Sequence, residues 1–150
     1  MKVLISSRKG RNEAEEGRVS FEEVLRTATV IVVSLPRTPG TMNLISATEF
    51  QKMQQCSILV NVSRGGIVDE EALLQALEKG QISGAATDVY ATEPVSEDVS
   101  PLIGGRVEGL NLVTTPHTAW CAEQTNVNFI RTLQDNVRAW VLEEPTNVVT

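Results

Sequence analysis

The sequence is poor in the residues from which disulfide frameworks and metal sites are built. It holds two cysteines and one histidine in 150 residues. Cys56 and Cys121 lie far apart, so they predict neither a disulfide framework nor a metal-ligand pair. Because His117 is the single histidine, a zinc site built on several histidines is excluded as well. We therefore expect no metal.

Basic charge and long apolar runs are also scarce. Lys and Arg total 13 against 19 Asp and Glu, which gives a net charge of -6 and disfavours a nucleic-acid-binding surface. No stretch approaches the roughly 18 apolar residues of a membrane span. The apolar start, Met1–Ile5, is too short for a signal peptide. These absences predict a cytoplasmic protein that binds neither nucleic acid nor a membrane.

Short apolar runs alternate with helical patterns along the chain. Ser20 with Glu23, and Ser46 with Glu49, form capping boxes that open helices. Asp69 caps a third helix, whose N-terminal dipole is complemented by the two glutamates that follow. Strands are predicted over residues 3–6, 29–33, 57–62, 84–89 and 110–114, and helices over 21–26, 47–54, 70–79 and 122–142, with a loop over 8–17.

This alternation predicts an α/β fold with a doubly wound parallel sheet. The run Thr29–Val33 is continuous and β-branched rather than alternating, which predicts a strand buried on both faces. Ligands of such sheets bind at the carboxyl ends of the strands. Three of these ends carry Arg64, Glu93 and His117. Alone, each is typical of a surface charge, a turn acid or a structural histidine; together at one sheet edge they favour a catalytic set.

Four segments carry a resemblance to a known family. Asn61–Glu70, Gly84–Val89 leading to Glu93–Pro94, and Asn111–Trp120 resemble the Arg, Glu and His motifs of the D-isomer-specific 2-hydroxyacid dehydrogenases. Ser34–Thr38 is similar to that family's loop beside the cofactor. The order and spacing of the motifs agree across nearly the whole chain. The resemblance implies a Rossmann-like fold and an NAD(P)-dependent oxidoreductase.

The resemblance also implies a role for each catalytic residue. The reaction transfers a hydride between NAD(P)H and a small 2-oxo acid of the glyoxylate or hydroxypyruvate type. Arg64 would hold the substrate carboxylate and carbonyl through its planar fork of donors. His117 would exchange a proton with the carbonyl oxygen, and Glu93 would bond the other ring nitrogen and fix its tautomer.

Cofactor contacts are implied at several strand ends. They fall on Ser7, Arg8, Leu35, Pro36, Ser63, Arg64, Asp88 and His117. The run Ser6–Arg11 carries no acid and three cations, which favours NADPH over NADH. Two alternatives stay open. The cations could merely solvate a loop, and Leu35–Pro36 could be no more than a strand end and a turn.

Parts of the family pattern are absent from these 150 residues. The Gly-rich loop, the first strand and the substrate domain are missing, so residues 1–150 are expected to be an incomplete NAD(P)-binding domain and Met1 an internal methionine. In this fold the strands lie across the sheet in the order 3-2-1-4-5-6, where each number gives a strand's place along the chain. Without the first strand, the strands at residues 3–6 and 29–33 would have only each other to pair with. Impaired turnover of the isolated chain follows.

Two other functions and two modes of association remain open. The chain could be a non-catalytic dinucleotide-sensing module, because relatives of this fold act as corepressors, or a truncated remnant without a role of its own. Family members are commonly dimers, which implies a homodimer. Open strand edges could instead drive nonspecific association.

Overall fold

The computed structural model describes residues 2–11 and 16–148, so Met1 and the middle of the loop predicted over 8–17 lie outside the described residues. The described part contains a four-stranded parallel sheet in the order β1-β2-β3-β4. Its strands are β1 (Val30–Val33), β2 (Ile58–Asn61), β3 (Gly84–Thr87) and β4 (Leu112–Thr114). The helices are α1 (Phe21–Thr27), α2 (Ala47–Phe50), α3 (Glu70–Glu78) and α4 (Glu123–Val141). The predicted Rossmann-like α/β fold is confirmed.

The predicted helix starts are correct because they depend on local hydrogen bonds. The Ser20 side chain accepts from the Glu23 amide at 3.2 Å, and Asp69 accepts from the Ala72 amide at 3.0 Å. The Glu49 carboxylate accepts from the Ser46 amide at 3.1 Å, as a capping box requires. Helix α2 is shorter than predicted, because it ends at Phe50. The chain then turns, and the Ser57 amide donates to the Gln54 carbonyl.

One face of the sheet carries the core. The inward side chains of β1 and β2 join apolar residues of α1, α2 and α3 in a single cluster. The largest fully buried apolar side chains are those of Leu25, Phe50, Leu59, Ile67, Leu74 and Leu102. Full burial of such a side chain contributes about 1.5–3 kcal/mol to stability. This cluster fixes the strands whose carboxyl ends hold the candidate site.

The prediction that the first β-branched run is buried on both faces is wrong. Ile31 and Val33 are buried, whereas Val30 and Val32 are 54% and 57% exposed. The helices α1 to α3 contribute side chains to the core on the Ile31 side. A continuous apolar run therefore indicated a parallel strand correctly but did not indicate how many of its faces are covered.

The predicted strand at residues 3–6 and its pairing are also wrong. Ser6 forms only an isolated parallel bridge to Val19, and the Ser7 amide donates to the Val19 carbonyl at 2.7 Å. Strand β1 pairs along all four residues with β2, from Val30 opposite Ile58 onwards. The 29–33 strand is thus the direct neighbour of the next strand in sequence, as consecutive βαβ units favour, and within the described residues no ladder joins it to residues 3–6.

The chain divides into two compact units, Met1–His117 and Thr118–Thr150. The first contains the sheet and all the candidate site residues. The second contains α4, preceded by a short 3₁₀ turn over Ala119–Cys121. Within the described residues, no helix is both long enough and apolar enough to span a bilayer.

Candidate active site

Glu93 and His117 come from the loops that follow neighbouring strands, β3 and β4. Their side chains meet, with His117 Nδ1 2.7 Å from Glu93 Oε2. The other carboxylate oxygen, Oε1, accepts from the Tyr90 amide at 3.0 Å. Both oxygens of Glu93 are therefore engaged, which fixes the plane of the carboxylate against the imidazole. Both side chains keep about a third of their surface exposed, so this pair is reachable from solvent.

The electrostatics of Glu93 follow from these two bonds. The hydrogen bond to His117, and after it the bond from the Tyr90 amide, hold the pKa of the Glu93 carboxyl below its ordinary value of 4.5. Partial burial and the nearby Asp88 carboxylate oppose this shift. Glu93 is thus a carboxylate at neutral pH, which suits an acceptor that holds one nitrogen of an imidazole.

His117 has an unusual backbone conformation. Its φ angle is +55°, in the left-handed region. Few residues other than glycine adopt this region, although histidine is among those enriched there. Outliers of this kind concentrate at functional sites, where the surrounding structure holds them in place.

Arg64 lies in the loop after β2 and faces a different set of side chains. The Asn61 amide shapes this loop, donating to the Arg64 carbonyl at 3.3 Å and accepting from the Ser63 hydroxyl at 3.0 Å. The exposed Arg64 guanidinium donates to the Ser63 carbonyl at 2.7 Å and makes no hydrogen bond to Glu93. It borders a cleft of about 490 Å³ whose other lining residues are Ser34, Leu35, Pro36, Arg37, Val62 and Ser63.

The Arg64 loop and the loop that carries Glu93 are in backbone contact. A Cβ atom built on Gly65 would lie 1.7 Å from the Tyr90 carbonyl oxygen. Only glycine tolerates such an approach at this position. The three predicted catalytic residues thus fall into two groups, Glu93 with His117 and Arg64 beside the cleft, and Gly65 connects the segments on which they lie.

Asp88 and Tyr90 join the ends of β3 and β4. Asp88 is buried and accepts from the Thr115 hydroxyl. The Tyr90 hydroxyl donates to the Thr115 carbonyl at 3.1 Å, and burial raises the pKa of this phenol. Sequence reasoning did not single out Tyr90 or Thr115, although both lie in the segments that follow these strands.

The side chains of Ser6–Arg11, the basic segment predicted to select the cofactor, differ in their burial and contacts. Ser7 is buried, and Arg8 is exposed. Lys9 Nζ lies 2.9 Å from Oε1 of the buried Glu49 and donates to the Leu44 carbonyl at 3.1 Å. Lys9 is therefore committed to an internal ion pair. Among residues 2–11 and 16–148, no group of three His, Cys, Asp or Glu side chains could hold a metal ion.

Comparison with protein families assigns most of the chain to one domain type. Residues 1–119 match the family model described as D-isomer specific 2-hydroxyacid dehydrogenase, NAD binding domain. The matched region includes the whole sheet and the Arg64, Glu93 and His117 positions.

Curated relatives cover nearly the whole chain. A glycerate dehydrogenase of Methylorubrum extorquens is 43% identical over 135 residues, which is 90% of this chain and 42% of the relative. A glyoxylate/hydroxypyruvate reductase B of Enterobacter sp. is 37% identical over 141 residues, 91% of this chain and 42% of the relative. The chain thus spans less than half the length of these relatives.

Solved structures share the fold. An acyclic imino acid reductase, solved in complex with NADPH and D-Arg, superposes with a TM-score of 0.81 at 27% identity. The superposition covers 100% of this chain and 46% of that protein.

Proposed function

We propose a hydride-transfer function from the premise that this chain belongs to the D-isomer-specific 2-hydroxyacid dehydrogenases. In this proposal it is the NAD(P)-binding part of an oxidoreductase that interconverts a small 2-oxo acid and its 2-hydroxy acid. The observation that carries the proposal is the 2.7 Å contact between His117 Nδ1 and Glu93 Oε2 at the carboxyl edge of the sheet. That edge is where ligands of open parallel sheets bind.

The side chains of this chain suit a nicotinamide dinucleotide. The cleft beside Arg64 combines the apolar Leu35 and Pro36 with the hydroxyls of Ser34 and Ser63. Such a mixture of apolar walls and a few polar groups is typical of cofactor sites. The residues that would hold the dinucleotide are Ser7, Arg8, Leu35, Pro36, Ser63, Arg64, Asp88 and His117. When bound, the cofactor supplies the hydride.

Proton transfer is the task of His117. With Nδ1 held by Glu93, the other ring nitrogen, Nε2, is the atom that would donate a proton to the carbonyl oxygen in reduction and take it back in oxidation. Glu93 fixes the ring orientation and keeps the proton on Nδ1. General acid–base groups placed in this way contribute roughly 10²–10⁴-fold to rate.

Substrate orientation is the task of Arg64. Its guanidinium is exposed and carries donors beyond the single bond to the Ser63 carbonyl. A guanidinium binds a carboxylate in a bidentate manner and stabilises negative charge that develops on a neighbouring oxygen. The names of the relatives, glycerate dehydrogenase and glyoxylate/hydroxypyruvate reductase, support glyoxylate or hydroxypyruvate as the 2-oxo acid.

Preference for NADPH over NADH is part of the proposal. The segment Ser6–Arg11 lacks the acid that would bind a ribose 2′-hydroxyl. Since Lys9 is paired with Glu49, the exposed Arg8 is the better placed cation for a 2′-phosphate. We further propose a cytoplasmic location, in keeping with two free cysteines, and a homodimer.

The test is steady-state oxidation of NADPH and NADH with glyoxylate and hydroxypyruvate. The natural gene product and this 150-residue chain are assayed in parallel under the same conditions. We expect the gene product to reduce both acids and to favour NADPH, and the 150-residue chain to turn over slowly or not at all. Equal use of both cofactors would contradict the preference. Dinucleotide binding without turnover of any 2-oxo acid by the natural gene product would contradict the oxidoreductase function and favour a sensing module.

A further inference from the structure

Glu70, the first residue of α3, reaches out of its helix into the loop that carries Glu93. Its Oε1 accepts from the Ala91 amide at 2.6 Å, and its Oε2 accepts from the Ser100 hydroxyl at 2.6 Å. Both distances are short, as expected when the acceptor is a carboxylate. Ser100 is buried, so this carboxylate connects the helix to two points of the long loop between β3 and β4.

The Ala91 amide belongs to the same peptide plane as the Tyr90 carbonyl. Gly65 abuts that carbonyl oxygen, and Glu70 binds the N–H on the opposite side. The Tyr90–Ala91 peptide is therefore held from both sides by the segment that also carries Arg64. Since peptide units are planar and rigid, holding this one fixes the direction of the chain on either side of it.

The preceding amide, that of Tyr90, donates to Glu93 Oε1 at 3.0 Å. Two successive amides thus bind two different glutamates. The Ala91 amide binds Glu70 on the helix, and the Tyr90 amide binds the carboxylate that pairs with His117. A tilt of the Tyr90–Ala91 peptide would move the donor of Glu93 and loosen its contact with the imidazole.

We infer that Glu70 is a positioning residue, which holds the Tyr90–Ala91 peptide against the Arg64 loop and so sets Glu93 and His117 in register with Arg64. The consequence for turnover rests on the proposed function, whereas the geometric effect on Glu93 does not. The competing role is stabilisation of the α3 N-terminus through the helix dipole. Glu71 would share that role, because it lies in the same first turn of α3. Its carboxylate accepts from the exposed Arg106 at 3.2 Å.

The test compares Glu70→Ala, Glu70→Gln and Glu71→Ala in the full chain, without cofactor or substrate. The readout is the titration of Glu93, followed by its side-chain carboxyl resonance in ¹³C NMR. We expect Glu70→Ala to raise the pKa of Glu93, because the Tyr90 donor and the His117 contact are loosened. Loss of a nearby negative charge alone would lower that pKa, so the sign of the shift separates positioning from simple electrostatics.

Glu70→Gln provides the conservative comparison. Its amide oxygen can still accept from the Ala91 amide, and its NH₂ group can donate to the Ser100 hydroxyl oxygen. We therefore expect no rise in the pKa of Glu93 in Glu70→Gln, and none in Glu71→Ala. A rise of the same size in Glu70→Gln as in Glu70→Ala, or no rise in Glu70→Ala, would overturn the inference.

Glu70→Asp covers the case in which Glu70→Ala does not fold. Aspartate keeps the charge at the helix N-terminus but is one methylene shorter, so it cannot span both Ala91 and Ser100. The inference predicts a raised Glu93 pKa in Glu70→Asp, and an unchanged one would overturn it. If the natural gene product lacks turnover, the proposed function fails, whereas the titration of Glu93 still decides whether Glu70 positions it.

Discussion

His117 Nδ1 lies 2.7 Å from Glu93 Oε2, although the two residues belong to loops after different strands. The contact forms because β3 and β4 are adjacent and parallel, with Thr87 opposite Thr114, so their carboxyl ends open at the same edge. The bond to Glu93 fixes the orientation of the imidazole ring at that edge.

Glu93→Gln should lower turnover of the natural gene product about 10²-fold or more, because the ring of His117 loses its charged acceptor. Imidazole ¹⁵N shifts should also show a weaker preference for the proton on Nδ1, because a neutral amide oxygen is a weaker acceptor than a carboxylate. Asp98→Asn, an exposed acid farther along the same loop, is the matched control and should leave both readouts unchanged. A Glu93→Gln variant with full activity would show that this contact is not part of the chemistry.

Stability should depend on pH through Glu93. Its pKa is lowered in the folded state, so its contribution is complete above the unfolded value near 4.5 and is lost as the pH falls through the folded value. Urea unfolding of wild type and Glu93→Gln across this acidic range should show a stability difference that shrinks as the pH falls. A difference that stays constant or grows on acidification would contradict the assignment.

Lys9→Met should destabilise the fold by about 3 kcal/mol, because the buried Glu49 carboxylate loses its ion-pair partner. This value is at the low end of the range for buried pairs, since the Lys9 side chain is 41% exposed. Lys52→Met, which removes the exposed pair with Glu22, should cost at most about 1 kcal/mol. Chemical denaturation measures both, and equal costs would argue against a structural role for Lys9.

Gly65→Ala should destabilise the chain by about 1–3 kcal/mol or more, because its Cβ would overlap the Tyr90 carbonyl. It should also disturb the Glu93–His117 contact, visible as a change in the His117 imidazole resonances. Gly105→Ala is the control, since a Cβ there meets nothing within 4 Å. Unchanged stability and unchanged resonances in Gly65→Ala would contradict the close approach of the two loops.

The sequence predicted those features that depend on neighbouring residues. Ser20, Ser46 and Asp69 mark helix starts because a cap bonds the backbone only a few residues on. The candidate residues at the strand ends followed from the parallel sheet and from the family resemblance. The pairing of residues 3–6 was not predictable in the same way, because a strand forms only with a partner that the tertiary fold brings beside it. In the structure Ser6 forms a bridge with Val19 and not with β1.

Longer-range contacts escaped prediction for a related reason. Lys9 looked like a free cation suited to a phosphate, and only the fold brings it to Glu49. Glu70 was explained by the helix dipole alone, so nothing in the sequence pointed to its bonds with Ala91 and Ser100. Polar side chains on loops take partners that the tertiary fold selects, whereas the apolar periodicity of an element is a property of its own segment.

The most direct test of the account is the turnover of His117→Gln relative to wild type in the natural gene product, with NADPH and glyoxylate or hydroxypyruvate. We predict a loss of roughly 10²–10⁴-fold in kcat, in a variant whose circular dichroism spectrum shows that the fold is retained. Turnover of His117→Gln at the wild-type rate would contradict the claim that the imidazole held by Glu93 transfers the proton.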